Sequence, residues 1–236
     1  MRIAILGAGN VGGTLGRRWA ELGHEVAFGV RRPVEGAAAV KGGGALPPGA
    51  RAAAPADAVR GAEVVLLATP WGAVPDALGE AGLTGAGAPN DAPNGAPDGT
   101  PDGVVLLDAT NPIAPAEGPA RLRVDAGPDG ASGGERVQAM APNARVVKAF
   151  NTTGWENMRD PAYGGARAAL FLAGDDAAAK STARTLAEAL GFEAVDAGPL
   201  ARARELEHLA VLWVALAVGA GAPALGRDFA FGLVRR

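Results

Sequence analysis

Gly7-Ala8-Gly9-Asn10-Val11-Gly12 constrains this fold more than any other segment of the chain. It follows the apolar run Ile3-Ala4-Ile5-Leu6 and opens a helical pattern with Val11, Leu15, Trp19 and Leu22 on one face. A G-x-G-x-x-G between a strand and a helix is the turn that starts a dinucleotide-binding βαβ unit. Its first glycine allows the tight turn, the second lets backbone approach a pyrophosphate, and the third lets helix and strand pack closely. The helix N-terminus then offers free N–H groups to phosphate. The alternative is a merely tight strand–helix turn in a chain with 36 glycines.

The rest of the pattern suits that start. Apolar runs at 2–6, 25–30, 63–68, 104–108, 145–150, 168–173 and 192–196 read as strands, and helical spacing appears at 11–22, 176–190 and 205–218. Strands alternating with helices predict an α/β fold, a Rossmann-type parallel sheet flanked by helices, followed by a small C-terminal α+β domain. The expected division is 1–150 for dinucleotide binding and 151–236 for acceptor binding and dimerisation. Residues 33–62 are too rich in Ala, Gly and Pro to assign, beyond a short helix ending near 57–61. Residues 84–103 (TGAGAPNDAPNGAPDGTPDG) have no side chain able to build a core and read as a low-complexity surface loop.

Composition removes several classes of function. There is no cysteine and there are two histidines, so thiol chemistry, disulfides and a Cys/His metal centre are not expected. A net charge of −3 gives no footprint for nucleic acid or an anionic membrane. The longest apolar run, 209–216, is too short to span a bilayer, which takes about 20 residues. No charged leader with an apolar stretch precedes the first strand, so the expected location is the cytoplasm. His24, beside a peripheral strand, and His208, on the last helix, read as structural.

Two further features bear on ligand choice. Where an NAD site carries Asp or Glu after the second strand, this chain has Val30-Arg31-Arg32-Pro33. Guanidinium groups there suit a 2′-phosphate and so NADP(H); the alternative is a solvated surface pair in a chain rich in arginine. Thr69-Pro70-Trp71, Asp108-Ala109-Thr110-Asn111-Pro112 and Lys148-Ala149-Phe150-Asn151-Thr152 all follow strand ends, where the ligand crevice of an open α/β sheet lies. Singly, each could be ordinary turn chemistry. Together they favour one pocket. No nucleophile–base pair or metal-ligand spacing emerges, and no catalytic side chain is expected.

The strings ILGAGNVG (5–12), GHEV (23–26), GVRR (29–32), ATPW (68–71), DATNP (108–112), VKAFNT (147–152), VDAGPL (195–200) and Leu206-Glu207, in this order, resemble the NADPH-dependent reductases of the deazaflavin coenzyme F420 over nearly the whole chain. That resemblance implies a dimer and direct hydride exchange between NADP(H) and F420 as co-substrate. It also implies cofactor-binding roles for Gly7, Gly9, Asn10, Val11, Gly12, Arg31, Arg32, Thr69, Pro70, Trp71, Asn111 and Asn151. The small-molecule acceptor pocket would take Trp71, Pro112, Asn151, Thr152, Gly198, Pro199 and Leu200. The chain departs from the family in carrying Val30 where archaeal members have serine, and in its 84–103 insertion. Competing readings are an NADPH-dependent reductase of flavin or another small acceptor, and an NADPH-binding regulator without turnover.

Overall fold

The computed structural model describes all residues except 34, 35, 37, 39, 86–102, 119, 126, 128 and 222. The body of the expected 84–103 loop therefore lies outside the described residues.

The first strand, β1 (Arg2–Leu6), is buried from Ile3 onward. Its uninterrupted apolar run reflects cover on both faces of the sheet. The helix α1 (Asn10–Glu21) lays Leu15, Trp19 and Ala20 against one face. Gly16 lets it sit down, since a Cβ there would come within 2.5 Å of the Phe28 ring. Next come β2 (Glu25–Gly29), β3 (Ala50–Ala53), α2 (Pro55–Val59), β4 (Val64–Leu67), α3 (Val74–Glu80) and β5 (Val105–Asp108). A hairpin, β6 (Ile113–Pro115) and β7 (Leu122–Val124), precedes α4 (Gly133–Met140) and β8 (Arg145–Lys148). The chain continues with α5 (Trp155–Arg159), a hairpin of β9 (Ala162–Tyr163) and β10 (Ala166–Arg167), β11 (Ala169–Gly174), α6 (Ala177–Ala189), β12 (Glu193–Gly198) and α7 (Ala203–Val218).

Eight of these strands form one sheet in the order β12-β11-β8-β5-β4-β1-β2-β3. All neighbours are parallel except β11, which runs antiparallel to β8. This is the Rossmann-type sheet expected from the sequence. Alternate residues feed two cores, one holding Ile3, Ile5, Phe28 and Leu66 under α1 and α6, the other Ala4, Leu6, Val65 and Leu67 under α2, α3 and α4. Residues beyond 150 continue the same sheet through β11 and β12. Within 33–62 the sequence missed β3: Ala50–Ala53 has no β-branched residue and is a strand because it pairs with β2. It missed α4 as well, although Ser132 and Glu135 form a capping box at its start.

The C-terminal tail folds back on this frame. Phe229 stacks on Trp213 with ring centroids 5.3 Å apart, and its carbonyl accepts from both Trp213 Nε1 (3.2 Å) and Asn157 Nδ2 (2.7 Å).

Candidate functional site

The carboxyl ends of β1, β2 and β4 open into a cleft of ≈ 480 Å³. Gly7 makes the turn above β1 at φ +98°, and a Cβ there would meet Ala68 O at 2.6 Å. Gly12 is just as tight, its Cβ position lying 2.0 Å from Gly7 O. Gly9 differs: a Cβ on it would touch nothing within 4 Å. Gly9 lines the cleft, and the space its Cβ would take is open. Gly9 is also the N-cap of α1, with no side-chain cap and no acid in the first turn. Uncapped N–H groups at the positive end of a 12-residue helix suit an anion. Arg31 and Arg32, both exposed, stand at the other side of the cleft after β2, beside Val30. Thr69 and Pro70 border it from β4, and Thr69 Oγ1 is buried with no hydrogen-bond partner among the described residues. An open backbone approach, a helix N-terminus, two guanidinium groups and an orphan hydroxyl fit a nucleotide with an extra phosphate.

Next to β4 in the sheet, the ends of β5 and β8 are built from buried side chains. Lys148 Nζ lies 3.0 Å from Asp108 Oδ2, 2.9 Å from Glu207 Oε1 and 2.6 Å from Thr110 O, with all three charged side chains wholly buried. Burial pulls the lysine pKa down, but the two carboxylates outweigh it and hold it above its ordinary value. The surplus negative charge is met by donors. Glu207 accepts from the Gly133 and Gly134 N–H groups (3.0 and 3.1 Å) at the start of α4, and Asp108 Oδ1 accepts from Thr110 N–H and hydroxyl (2.9 and 2.6 Å). Above this hub, Asn111 Nδ2 donates to Asn151 O (2.8 Å) and Asn151 Nδ2 to Asn111 Oδ1 (3.0 Å).

Half-buried Trp71, on a 3-10 turn before α3, closes in from β4. A Cβ on Gly133 would lie 3.2 Å from its ring, 3.1 Å from Pro112 and 3.0 Å from Glu207, so these groups converge there.

The structure thus brings Gly7, Gly9, Arg31, Arg32, Thr69 and Pro70 to one cleft, with Asn10, Val11 and Gly12 in the first turn of α1 behind it. It joins Asn111 to Asn151, and sets Trp71 by Pro112. Thr152 is 2% exposed and Leu200 3%. Leu200 packs in the core under α4, while Gly198 is the last residue of the edge strand β12 and Pro199 follows it; none of the three lines the cleft. Asp76 and Glu80 of α3 also line it, unanticipated from sequence. Lys148 and Glu207 were missed as a pair. Lys148 interrupts the apolar run Val146 to Phe150, and Glu207 falls on the buried stripe of α7 with Ala203, Leu206 and Ala210, so each was visible as a misplaced charge. His208 is on the exposed side of α7, its Nδ1 2.8 Å from Arg204 O, and His24 lies 3.2 Å from the N-terminal ammonium.

A Rossmann sheet with such a cleft is the architecture of a dinucleotide-binding protein. Residues 2–88 match the family described as NADP oxidoreductase, coenzyme F420-dependent. Over the full length of both chains, the structure is similar to a candidate F420-dependent NADP reductase from Arthrobacter sp. FB24 (33% identity, TM-score 0.76). The chain belongs to this family of F420-dependent NADP oxidoreductases. A hypothetical protein from Sinorhizobium meliloti is also similar, with 26% identity, TM-score 0.66, and coverage of 100% of this chain and 96% of that one. The metalloreductase STEAP3 of Rattus norvegicus is 37% identical over 79 residues, which is 33% of this chain and only 16% of that protein. Among the described residues no helix is long and apolar enough to cross a membrane.

Proposed function

We propose that this chain transfers a hydride between NADPH and the deazaflavin coenzyme F420. Bound NADPH supplies a hydrogen with both electrons from its C4–H bond to the acceptor ring carbon, and one solvent proton balances the reduced acceptor. The observation that supports this reading best is the cleft that pairs an uncapped α1 N-terminus with Arg31 and Arg32, within a chain related along its full length to a candidate F420-dependent reductase.

In this reading α1 and the Gly9 gap hold the pyrophosphate, the two arginines hold the 2′-phosphate, and Asn10, Val11 and Gly12 form the turn that presents the N–H groups. Thr69 and Pro70 border the nicotinamide half. Trp71, Pro112, Asn111, Asn151 and Thr152 shape the acceptor side, with Gly198 and Pro199 supporting it from the end of β12 and Leu200 from the core under α4. Direct hydride transfer asks the protein for alignment of two rings and exclusion of water more than for an acid or base. Functionally, residues 1–150 hold the nucleotide and residues 151–236 complete the acceptor side and a homodimer contact, in a cytoplasmic enzyme. On α7, Leu212 is 49% and Val218 57% exposed, apolar surface that a second copy would cover.

The test is to mix the protein with NADPH and oxidised F420 and follow the acceptor's visible absorbance. Bleaching at a rate proportional to enzyme is expected. Reduction of riboflavin or FMN in place of F420 would overturn the acceptor assignment, and binding of NADPH without turnover of any acceptor would make the chain a regulator.

A further inference from the structure

Three observations meet at Asn151. The residue is only 5% exposed, yet its buried Oδ1 has no hydrogen-bond partner among the described residues. The residue before it, Phe150, holds φ +61°, a left-handed conformation costly for a bulky L-residue. Phe150 is kept there by edge-on packing against Trp19 (5.7 Å) and Phe192 (6.2 Å). Strain in the backbone and an unmet polar atom in adjacent residues both disfavour the free protein, and such pairs gather where a ligand is met.

The hydrogen bonds around Asn151 also fix which atom is left over. Asn151 O can only accept, so Asn111 must turn its Nδ2 toward it (2.8 Å). Asn111 Oδ1 is then the atom facing Asn151, which must answer with Nδ2 (3.0 Å). Turning the Asn151 amide over would set two oxygens against each other. The unmet atom is therefore an acceptor, and what satisfies it has to be a donor. A phosphate or a ring carbonyl does not fit.

We infer that Asn151 Oδ1 is a recognition point for an amide-type N–H on the edge of one of the two reacting rings. This rests on the proposed hydride transfer and adds to it a polarity: the site reads a donor at this corner. Two groups carry such an N–H, the carboxamide of nicotinamide and the imide of a deazaflavin or flavin pyrimidine. The Asn111 pairing keeps the buried oxygen oriented for that contact.

Binding measurements on wild type and Asn151→Ala separate the sources. In one arm, NADP⁺ is titrated against its 3-acetylpyridine analogue, in which a methyl replaces the carboxamide NH₂. In the other, oxidised deazaflavin is titrated by fluorescence against its N3-methyl derivative. Wild type should favour the N–H ligand by about three- to tenfold in one arm, the net worth of one neutral hydrogen bond. In Asn151→Ala that ratio should fall to about one. The arm that responds names the ring. Equal ratios in wild type and variant in both arms overturn the inference, as does a wild-type ratio near one in both. Affinity for 2′,5′-ADP, which carries neither N–H, reports whether the variant is folded; if it is not, the wild-type ratios alone decide. Failure of wild type to bind any of these ligands would instead defeat the proposed function.

Discussion

At the β1–β2 end of the sheet the candidate site is made of backbone and open to water; at the β5–β8 end it is made of charged side chains sealed from water. The first end works through absence: Gly9 lacks a Cβ, α1 lacks a side-chain cap, and the turn after β2 lacks a carboxylate. The second works through mutual satisfaction of Lys148, Asp108 and Glu207, with α4 and Thr110 supplying the remaining donors. An open end can exchange a ligand with little rearrangement. A sealed end holds geometry, and any break in it spreads to every partner.

The largest effect should come from the sealed end. Lys148→Met leaves two buried carboxylates without their cation, and loss of one partner of a buried pair costs about 3–5 kcal/mol. Urea denaturation should show that loss while 2′,5′-ADP affinity, read at low urea, stays within about twofold. A large fall in that affinity would show that the two ends are not separate.

Arg31→Ala comes next. A charge-assisted contact to a phosphate is worth roughly 1.5–3 kcal/mol, so NADPH should bind about ten- to a hundredfold more weakly. NADH affinity should hold, and added salt should shrink the wild-type preference because the arginines are exposed. Equal wild-type affinity for the two nucleotides would remove the phosphate role altogether.

Two glycines then sharpen the contrast within the open end. Gly9→Ala should change stability by less than about 0.5 kcal/mol, its Cβ touching nothing, while weakening NADPH about tenfold. Gly12→Ala drives a Cβ into Gly7 O and should cost about 1–3 kcal/mol in folding by itself. If Gly9→Ala binds NADPH normally, the gap at Gly9 is not where the pyrophosphate lies.

The smallest effect is one of pH. Arg204, paired with Glu135 through two 2.8 Å contacts, holds that carboxyl at about 2, with the Ser132 N–H and hydroxyl assisting. A carboxyl depressed on folding contributes stability that is complete above its ordinary value of 4.5 and is lost as pH falls toward 2. The Arg204 side chain is 52% exposed, so solvent screening limits the gain to about 1 kcal/mol. Glu135→Gln should flatten the acid limb of the stability profile between pH 4.5 and 2 by that amount; an unchanged limb would remove the role.

The same contrast explains what was legible in the sequence. The glycine turn, the double arginine and the strands read at 2–6, 63–68 and 104–108 are written in local spacing, and the structure has those strands at 2–6, 64–67 and 105–108. Strand β3 is written only in its partner, since Ala-Arg-Ala-Ala has no preference of its own. The hub joins residues 108, 148 and 207, and no window along the chain contains its chemistry. Leu200 shows a further dependence: the core cluster it packs in includes residues of α4, more than fifty positions earlier in the chain, and no window around Leu200 contains them.

Glu207 has a consequence for how the protein is made. Ser132 and Glu135 cap α4 locally, but its first two N–H groups, those of Gly133 and Gly134, wait for a carboxylate supplied some 74 residues later in the chain, which is also the second counterion of Lys148. A nascent polypeptide that has released residues 1–150 has its glycine turn in hand and Lys148 balanced by Asp108, but the Gly133 and Gly134 N–H groups are still without their acceptor. Ribosomal order therefore makes the last helix the closing step, and a truncated product ending near residue 200 should be found in the insoluble fraction, cleared by proteases, or held by chaperones.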